Sequence, residues 1–247
     1  MDRALYIAMT GAKHNTLAQA NRANNLANLS TTGFRADFEQ SRSMGVYYGD
    51  GQPTRAFAMT ESPQSDFRPG AMIETGNDLD VAIHGDGFIA VQAPDGSEAY
   101  TRAGNFLVDA TGMLRTGSGL PVLGDGGPIN VPENEKIQIG ADGTLSVVGL
   151  GQGPETMVEV GRIKLVNPDV KALEKGDDGL FRQRDGEQAQ AAAEVKVKSG
   201  MLEGSNVNAI EEFTQILSLS RQYEMQIKLM KTAEENSASS SQLLQVS

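Results

Sequence analysis

ANNLANLSTTGF, residues 23–34, ends a helix in an unusual way. Asn24, Asn25 and Asn28 crowd into two turns although Asn is a poor helix former, and Ser30-Thr31-Thr32-Gly33 then breaks the pattern before Phe34. Upstream, residues 3–29 are Ala-rich and free of Pro, with Leu5, Met9, Ala12, Thr16, Ala20, Ala23 and Ala27 recurring at spacings of three and four. That stripe is made mostly of small side chains, which let backbones approach closely but bury little area. The asparagines near the end have two readings: hydrogen bonds across to other helices and to carbonyls freed at the helix end, or a local cap with exposed amides. Gly33 suits a left-handed residue that turns the chain away, with Phe34 anchoring the connector beyond it.

The other end of the chain matches this start. In GSNVNAIEEF, residues 204–213, Asn208 and Glu211 resemble a capping box, and Glu211 and Glu212 favour the positive helix start. Phe213, Ile216, Ser220, Tyr223, Ile227 and Met230 follow the 3,4,3,4,3 spacing of a heptad seam. A helix from 208 to about 241 would be about 50 Å long, exceeding the width of a β domain of some 125 residues. Such a rod needs a partner helix, and the opposite terminus is the obvious candidate.

Between the helices, residues 75–200 read as β-structure. Asp-Gly pairs occur at 86–87, 95–96, 125–126, 142–143, 178–179 and 185–186, with one more at 50–51, and signal hairpins. Runs at 88–92, 99–102, 136–139, 144–148, 158–166 and 194–198 are the expected strands, forming an antiparallel sandwich or irregular barrel. The expected organisation is an N-terminal helix (1–33), an extended connector (34–74), a β-rich domain (75–205) and a C-terminal helix (206–247), with the two terminal helices pairing as a coiled coil.

Composition narrows the function. Among 247 residues only 39% are hydrophobic, with 28 Gly, 8 Phe, 5 Tyr and no Trp. That is thin material for one core, so part of the chain is expected to bury apolar surface against other molecules. The net charge of -11 argues against nucleic acid and against an anionic bilayer. No run approaches 18 apolar residues, and the first fifteen residues lack signal-peptide features, so export without cleavage or a cytosolic location is expected. Cysteine is absent, which excludes disulfides and thiolate chemistry.

Catalytic and metal-binding patterns are weak. His84, flanked by Asp80 and Asp86, could be a base or a metal ligand, but a strand end followed by a hairpin explains the run better. A calcium loop counted from Asp78 would need Glu at its twelfth position, where Ile89 stands. The Gly-rich stretches GSGLPVLGDGG and GLGQGPE match no dinucleotide or phosphate-loop fingerprint. Glu211-Glu212 and Glu234-Glu235 read as solvated helix faces. No cofactor, metal or small-molecule substrate is expected.

Four blocks carry a resemblance. ANNLANLSTTGF resembles the N-terminal signature of flagellar rod and hook proteins; DLDVAIHGDGFIAV (78–91), YTRAGNFLVDATGMLRTGSGLPVLG (100–124), and SGMLEGSNVN (199–208) followed by RQYEMQIKLMKTAEE (221–235) resemble later blocks of that family in order. The opening MDRALYIAMTGA, DDGLFR at 177–182, LEGSNV at 202–207, the ending QLLQVS and a short connector resemble its proximal-rod members most. A distal-rod or hook-type subunit, a secreted structural β protein and a small hydrolase using Asp80, His84 and Asp86 are the alternatives. The resemblance implies no enzyme. It implies a subunit exported through the flagellar type III apparatus without cleavage, stacking with itself and other rod proteins in the basal body, in the periplasm, as part of a torque-transmitting shaft. Terminal helices would line an inner tube and the β domain an outer layer.

On this reading the assembly surface is carried by Leu5, Met9, Asn24, Asn25, Leu26, Asn28, Gly33, Phe34, Asn206, Phe213, Ile216, Tyr223, Ile227 and Met230. The terminal segments, 1 to about 33 and 206–247, are expected to be mobile in the free monomer, because isolated helices are marginal in water.

Overall fold

The computed structural model describes residues 2–38, 41–46, 55–60, 64–151 and 156–245. The Asp50-Gly51 turn expected from the sequence, most of the GQGPE stretch and the last two residues of QLLQVS lie outside them. The chain is mainly antiparallel β with one helix near each terminus, and it divides into two compact units. Unit 1 comprises residues 1–28, 37–66 and 207–247; unit 2 comprises 29–36 and 67–206.

In unit 1 the Ala-rich, Pro-free start forms α1 (Asp2–Ala27) and the C-terminal segment forms α2 (Ala209–Gln245). Asn208 caps α2: its Oδ1 accepts from the backbone N–H groups of Ile210 (3.1 Å) and Glu211 (3.4 Å), two of the donors a helix start leaves unpaired. At about 1.5 Å per residue, the 37 residues of α2 span roughly 55 Å. The helices pack antiparallel: Arg22 meets Glu212 near one end, and Gly11 lies against Gln226 further along. The segment 37–66 adds a hairpin of Ser41–Val46 with Arg55–Thr60, and a short ladder of Asp37–Phe38 with Gln64–Ser65. α1 packs on the strand Arg55–Thr60 as well as on α2.

Unit 2 holds a five-stranded antiparallel sheet, ordered Leu165–Val166, Phe88–Gln92, Glu98–Thr101, Phe181–Gln183, Leu173–Lys175. A three-stranded sheet runs Asn134–Ile139, Thr144–Gly149, Met157–Arg162. Smaller pairs join Val81–His84 to Lys196–Ser199 and Met72–Glu74 to Met201–Glu203. Among the described residues no sheet closes into a barrel. The strand Phe88–Gln92 is buried on both faces, which explains its unbroken apolar run. Ile89 and Val91 enter a core with Val81, Ile83, Leu114, Val122 and Leu145. Phe88 and Ala90 face the opposite way, into a cluster with Tyr100, Val166 and Phe181. There the Phe67, Phe88 and Phe181 rings lie 5.3–6.1 Å apart, in tilted and edge-on contacts.

Four of the six Asp-Gly pairs described make hairpins: 95–96, 125–126, 142–143 and 178–179 each connect strands that pair with each other. No non-glycine residue has a positive φ among those described, so the turns are not the type that places both central residues in the left-handed region. At 93–97, instead, Gly96 N–H donates to the Ala93 carbonyl and Ala93 N–H to the Ser97 carbonyl, with Gly96 at φ 84°. This is a type I turn closed by a left-handed glycine, the common three-residue hairpin loop. Asp95 holds it by accepting from Ser97 N–H (2.9 Å) and Oγ (2.6 Å), and these bonds lower its pKa. Asp109 does the same with Thr111 at a turn whose glycine, Gly112, stands three residues on. Hydrogen bonds from Thr111, then Arg115, hold the Asp109 carboxyl well below the usual carboxylate range. An Asp-Gly search misses that turn.

Three expectations are corrected. Asp86-Gly87 is no hairpin: the strand before it pairs with Lys196–Ser199 and the strand after it with Glu98–Thr101 and Leu165–Val166, so the chain changes sheets there. The run 158–166 is two strands. Leu145 pairs with Gly161 and Ser146 with Glu159, leaving Val160 as the extra residue of a bulge that bends the chain towards the five-stranded sheet. The strand expected at 194–198 begins at Lys196.

A helix pair with its apolar residues outward, and a buried charge clasp

The contact between α1 and α2 is lined on the α1 side by small and polar side chains and on the α2 side by a mixture of polar and apolar ones. On α1, Ala8, Ala12 and Asn25 are buried and Gly11, Asn15, Ala18 and Arg22 half-buried; on α2, Glu212 is buried and Ile216, Leu219, Gln226, Met230, Ala233 and Ser237 half-buried. The 8, 11, 15, 18, 22, 25 spacing on α1 and 212, 216, 219, 226, 230, 233, 237 on α2 keep a heptad-like phase. Much larger side chains stand outside. Leu5, Tyr6, Met9 and Leu17 on α1 are exposed, as are Ile210 (78%), Phe213 (55%), Leu217, Tyr223, Met225, Ile227 and Leu229 (58%) on α2. Exposed apolar residues in this number are more than a finished soluble surface ordinarily carries.

A polar knot fastens the pair. Glu212 accepts from Arg22 Nη1 (3.0 and 3.3 Å to its two oxygens) and from Asn25 Nδ2 (3.2 Å). Asn25, fully buried, also donates from Nδ2 to the Asp37 carbonyl (2.7 Å) and accepts from Asp37 N–H at Oδ1 (2.9 Å). Asn28 Nδ2 reaches back to the Asn24 carbonyl (3.0 Å), and the Asn24 side chain is exposed. Of the three asparagines, one reaches the other helix and one satisfies a carbonyl at the end of its own helix. Glu212 corrects the expectation of a solvated Glu211-Glu212 face: neighbours on a helix diverge by about 100°, so Glu211 stays exposed while Glu212 turns onto α1.

In unit 2 the segment after α1 is clasped by charge. Glu203, fully buried, accepts from Arg35 Nη2 (2.7 Å) and the Gly70 N–H (2.9 Å) at one oxygen, and from Arg102 Nη1 (3.0 Å) at the other. Arg102 Nη2 donates to the Gly85 carbonyl (2.7 Å), and its guanidinium lies 5.5 Å from the Phe88 ring centroid. Burial lowers the Arg102 pKa, opposed by Glu203. Arg35 Nε and Nη1 and Arg102 Nε are buried without a partner, so the clasp is held together but not fully satisfied.

Gly33 N–H donates to the Glu203 carbonyl (2.7 Å), and Gly33 has φ 68°. It lies six residues beyond α1, so its conformation answers to its surroundings and not to a helix cap: a Cβ there would come within 2.3 Å of the Arg102 carbonyl carbon. Phe34, half-buried, lies under Lys175 Nζ (4.1 Å to the ring centroid), which also donates to the Arg35 carbonyl (2.9 Å). Asn206 accepts from Ala36 N–H (2.7 Å) and donates to the Arg68 carbonyl (3.0 Å).

Of the remaining residues singled out in the sequence, Leu26, Ile216 and Met230 are half-buried, and Leu5, Met9, Phe213, Tyr223 and Ile227 are exposed. The Ala12, Thr16, Ala20, Ala23 stripe lies mostly outside the helix contact, with only Ala12 buried. Neither the Arg22–Glu212 pair nor the Arg35–Glu203–Arg102 clasp has a signature in the sequence, because nothing in the spacing of single charged residues predicts which of them pair. His84 is exposed at a strand end opposite Lys196, Asp86 is exposed, and Asp80 is buried with its carbonyl bonded to the Gly200 N–H (2.8 Å). Among the described residues no cluster of three His, Cys, Asp or Glu could hold a metal, and no helix is long and apolar enough to cross a membrane.

Residues 82–147 match the family described as flagellar hook protein FlgE/F/G D1 domain, and residues 198–243 match flagellar basal body rod FlgEFG protein C-terminal. The chain is similar to the flagellar basal-body rod protein FlgF of Escherichia coli (strain K12), 44% identical over the whole of both chains. The FlgF of Caulobacter vibrioides is 37% identical, covering 97% of this chain and 96% of its own. The flagellar basal-body rod protein FlgG of Bacillus subtilis (strain 168) is 32% identical, with 95% and 96% covered.

Proposed function

The chain belongs to the flagellar basal-body rod protein family, and with that as premise we infer that it is a structural subunit of the proximal rod, a building block with no catalytic task. The observation that carries this is the inverted helix pair: α1 turns small and polar residues to α2, only Ile216, Leu219 and Met230 of the large apolar residues of α2 are half-buried, and most of the large apolar residues of both helices stand outside. Each outer Leu, Ile or Phe covered by a neighbour contributes about 1.5–3 kcal/mol, against about 4–15 kcal/mol for the translational and rotational freedom lost on association. One contact between two subunits is therefore close to balance, and many together favour assembly. Identities to proteins named FlgF run from 28% to 44% and to those named FlgG from 32% to 33%; the three highest values all belong to FlgF, which favours the proximal over the distal type.

On this reading the terminal segments 1–33 and 206–247 form an inner layer as a coiled coil, 34–74 connects, and 75–205, a sandwich-like β domain, faces outward. The partners are other copies and other rod and hook proteins. The subunit leaves the cytoplasm through the type III export apparatus without cleavage, stacks helically in the periplasmic part of the basal body, and transmits torque. It needs no cofactor, small-molecule substrate or nucleic acid.

Complementation tests the reading. A strain lacking the gene is expected to stop swimming, with the rod arrested, and the native chain to restore it. The variant Phe213→Asp/Leu217→Asp should fold but fail to restore swimming, because two charges on the outer face of α2 oppose burial. His84→Ala should restore swimming fully. Normal swimming without the gene, or from the double-Asp variant, would refute the reading.

A further inference from the structure

We propose that Glu212 is the residue that sets the register of the α1–α2 pair. The α1 side of the seam, Ala8, Gly11, Asn15 and Ala18, carries no large side chain that would lock into one hole among the half-buried Ile216, Leu219, Gln226, Met230, Ala233 and Ser237 of α2. Its packing therefore discriminates poorly between one register and another displaced by seven residues, about 10 Å along the axis. The knot at Glu212 discriminates sharply. Asn25 is pinned by two hydrogen bonds to the Asp37 backbone, 2.7 and 2.9 Å, so its position is fixed by its own side of the contact. Arg22 stands one turn away on the same face. Only a side-chain oxygen delivered to that point accepts from both, at 3.0 and 3.2 Å. Sliding α2 by one heptad puts Leu219 there and leaves Arg22 and the Asn25–Glu212 bond without an acceptor. A single polar residue in a helix seam fixes register in this way, at some cost in stability.

The consequence for assembly rests on the rod reading: the register decides how the exposed stripes of α1 and α2 align into one docking face. The register itself is a property of the single chain and can be tested without any assembly. Because the chain contains no cysteine, introduced pairs report contacts without background. Gly11→Cys is combined in turn with Gln226→Cys, Leu219→Cys and Ala233→Cys in the full-length monomer, and disulfide yield is measured under mild oxidation. Gly11 faces Gln226, its Cβ position 3.0 Å from the amide nitrogen, so the 226 pair should exceed the two heptad-shifted pairs by about tenfold or more. In a Glu212→Leu background the three yields should come within about threefold of one another, since the seam remains apolar but the register signal is gone. Glu212→Gln, which keeps an acceptor for both donors, should restore the preference for 226. A Glu212→Leu chain that still prefers 226 tenfold would overturn the proposal, as would loss of all three cross-links, which would make Glu212 an adhesive and not a register key. Either result leaves the rod reading untouched, because that reading is tested by swimming.

Discussion

Gly33→Ala is expected to destabilise the protein by about 3 kcal/mol or more, although it adds one methyl group. Gly33 has φ 68°, where an L-residue costs about 1–2 kcal/mol. Its Cβ would also lie 2.3 Å from the Arg102 carbonyl carbon and 2.4 Å from the Ala103 nitrogen, both backbone atoms that no rotamer change can move aside. The segment 29–36 must then lift from Arg102, which stretches the Gly33–Glu203 hydrogen bond and the Arg35–Glu203 ion pair together. At about 2–4 °C per kcal/mol for a chain of this size, the unfolding midpoint should fall by roughly 10 °C. Gly76→Ala is the control. Gly76 has φ 72°, but open space surrounds its Cβ position, so only the conformational cost of about 1–2 kcal/mol applies. Calorimetry on the two variants reads the close approach as the difference; equal midpoints would show that the contact at Gly33 relaxes without cost.

Glu203→Ala should be as severe, and its repair is the informative part. Removing the carboxylate leaves Arg35 and Arg102, 1% and 4% exposed at their side chains, as two buried positive charges facing each other. It also orphans the Gly70 N–H. Breaking a buried pair in this way costs about 3–5 kcal/mol. Replacing all three charges together (Arg35→Met, Arg102→Met, Glu203→Leu) should recover at least about 2 kcal/mol of that loss, because three desolvation penalties disappear with the interactions. Denaturant unfolding of the native, single and triple variants measures this. A triple variant no more stable than Glu203→Ala would mean that the clasp contributes net stability. Gly33→Ala and Glu203→Ala should be less than additive, since each disrupts the Arg35–Glu203 ion pair.

The sequence conveys the parts of this molecule that local rules control. Absence of Pro and Ala-rich periodicity place α1, and Asn208 marks the start of α2 to the residue. Asp-Gly pairs locate four real hairpins, and at 95–96, 142–143 and 178–179 the Asp side chain and the glycine's left-handed conformation complete the turn within five residues. Asp86-Gly87 misleads because the same turn chemistry also serves a chain changing sheets, and strand pairing is decided by partners a hundred residues away. The inward face of α1 misleads for a related reason. Periodicity selects the stripe through Leu5, Met9 and Ala12, whereas the helix contact runs through Ala8, Gly11, Asn15, Arg22 and Asn25, so hydrophobicity points away from the internal partner. The charge clasp could not be read at all: Arg35, Arg102 and Glu203 are ordinary surface residue types that only tertiary structure brings to one point.

That inversion of the helix pair is the centre of the account, and a density map of an intact basal body, with this chain traced in it, tests it most directly. Ile210, Phe213, Leu217, Met225 and Leu229, exposed in the single chain, should lie covered by helices of neighbouring subunits. A map in which those side chains still face solvent, with neighbouring subunits touching only through the β-rich unit, would contradict it.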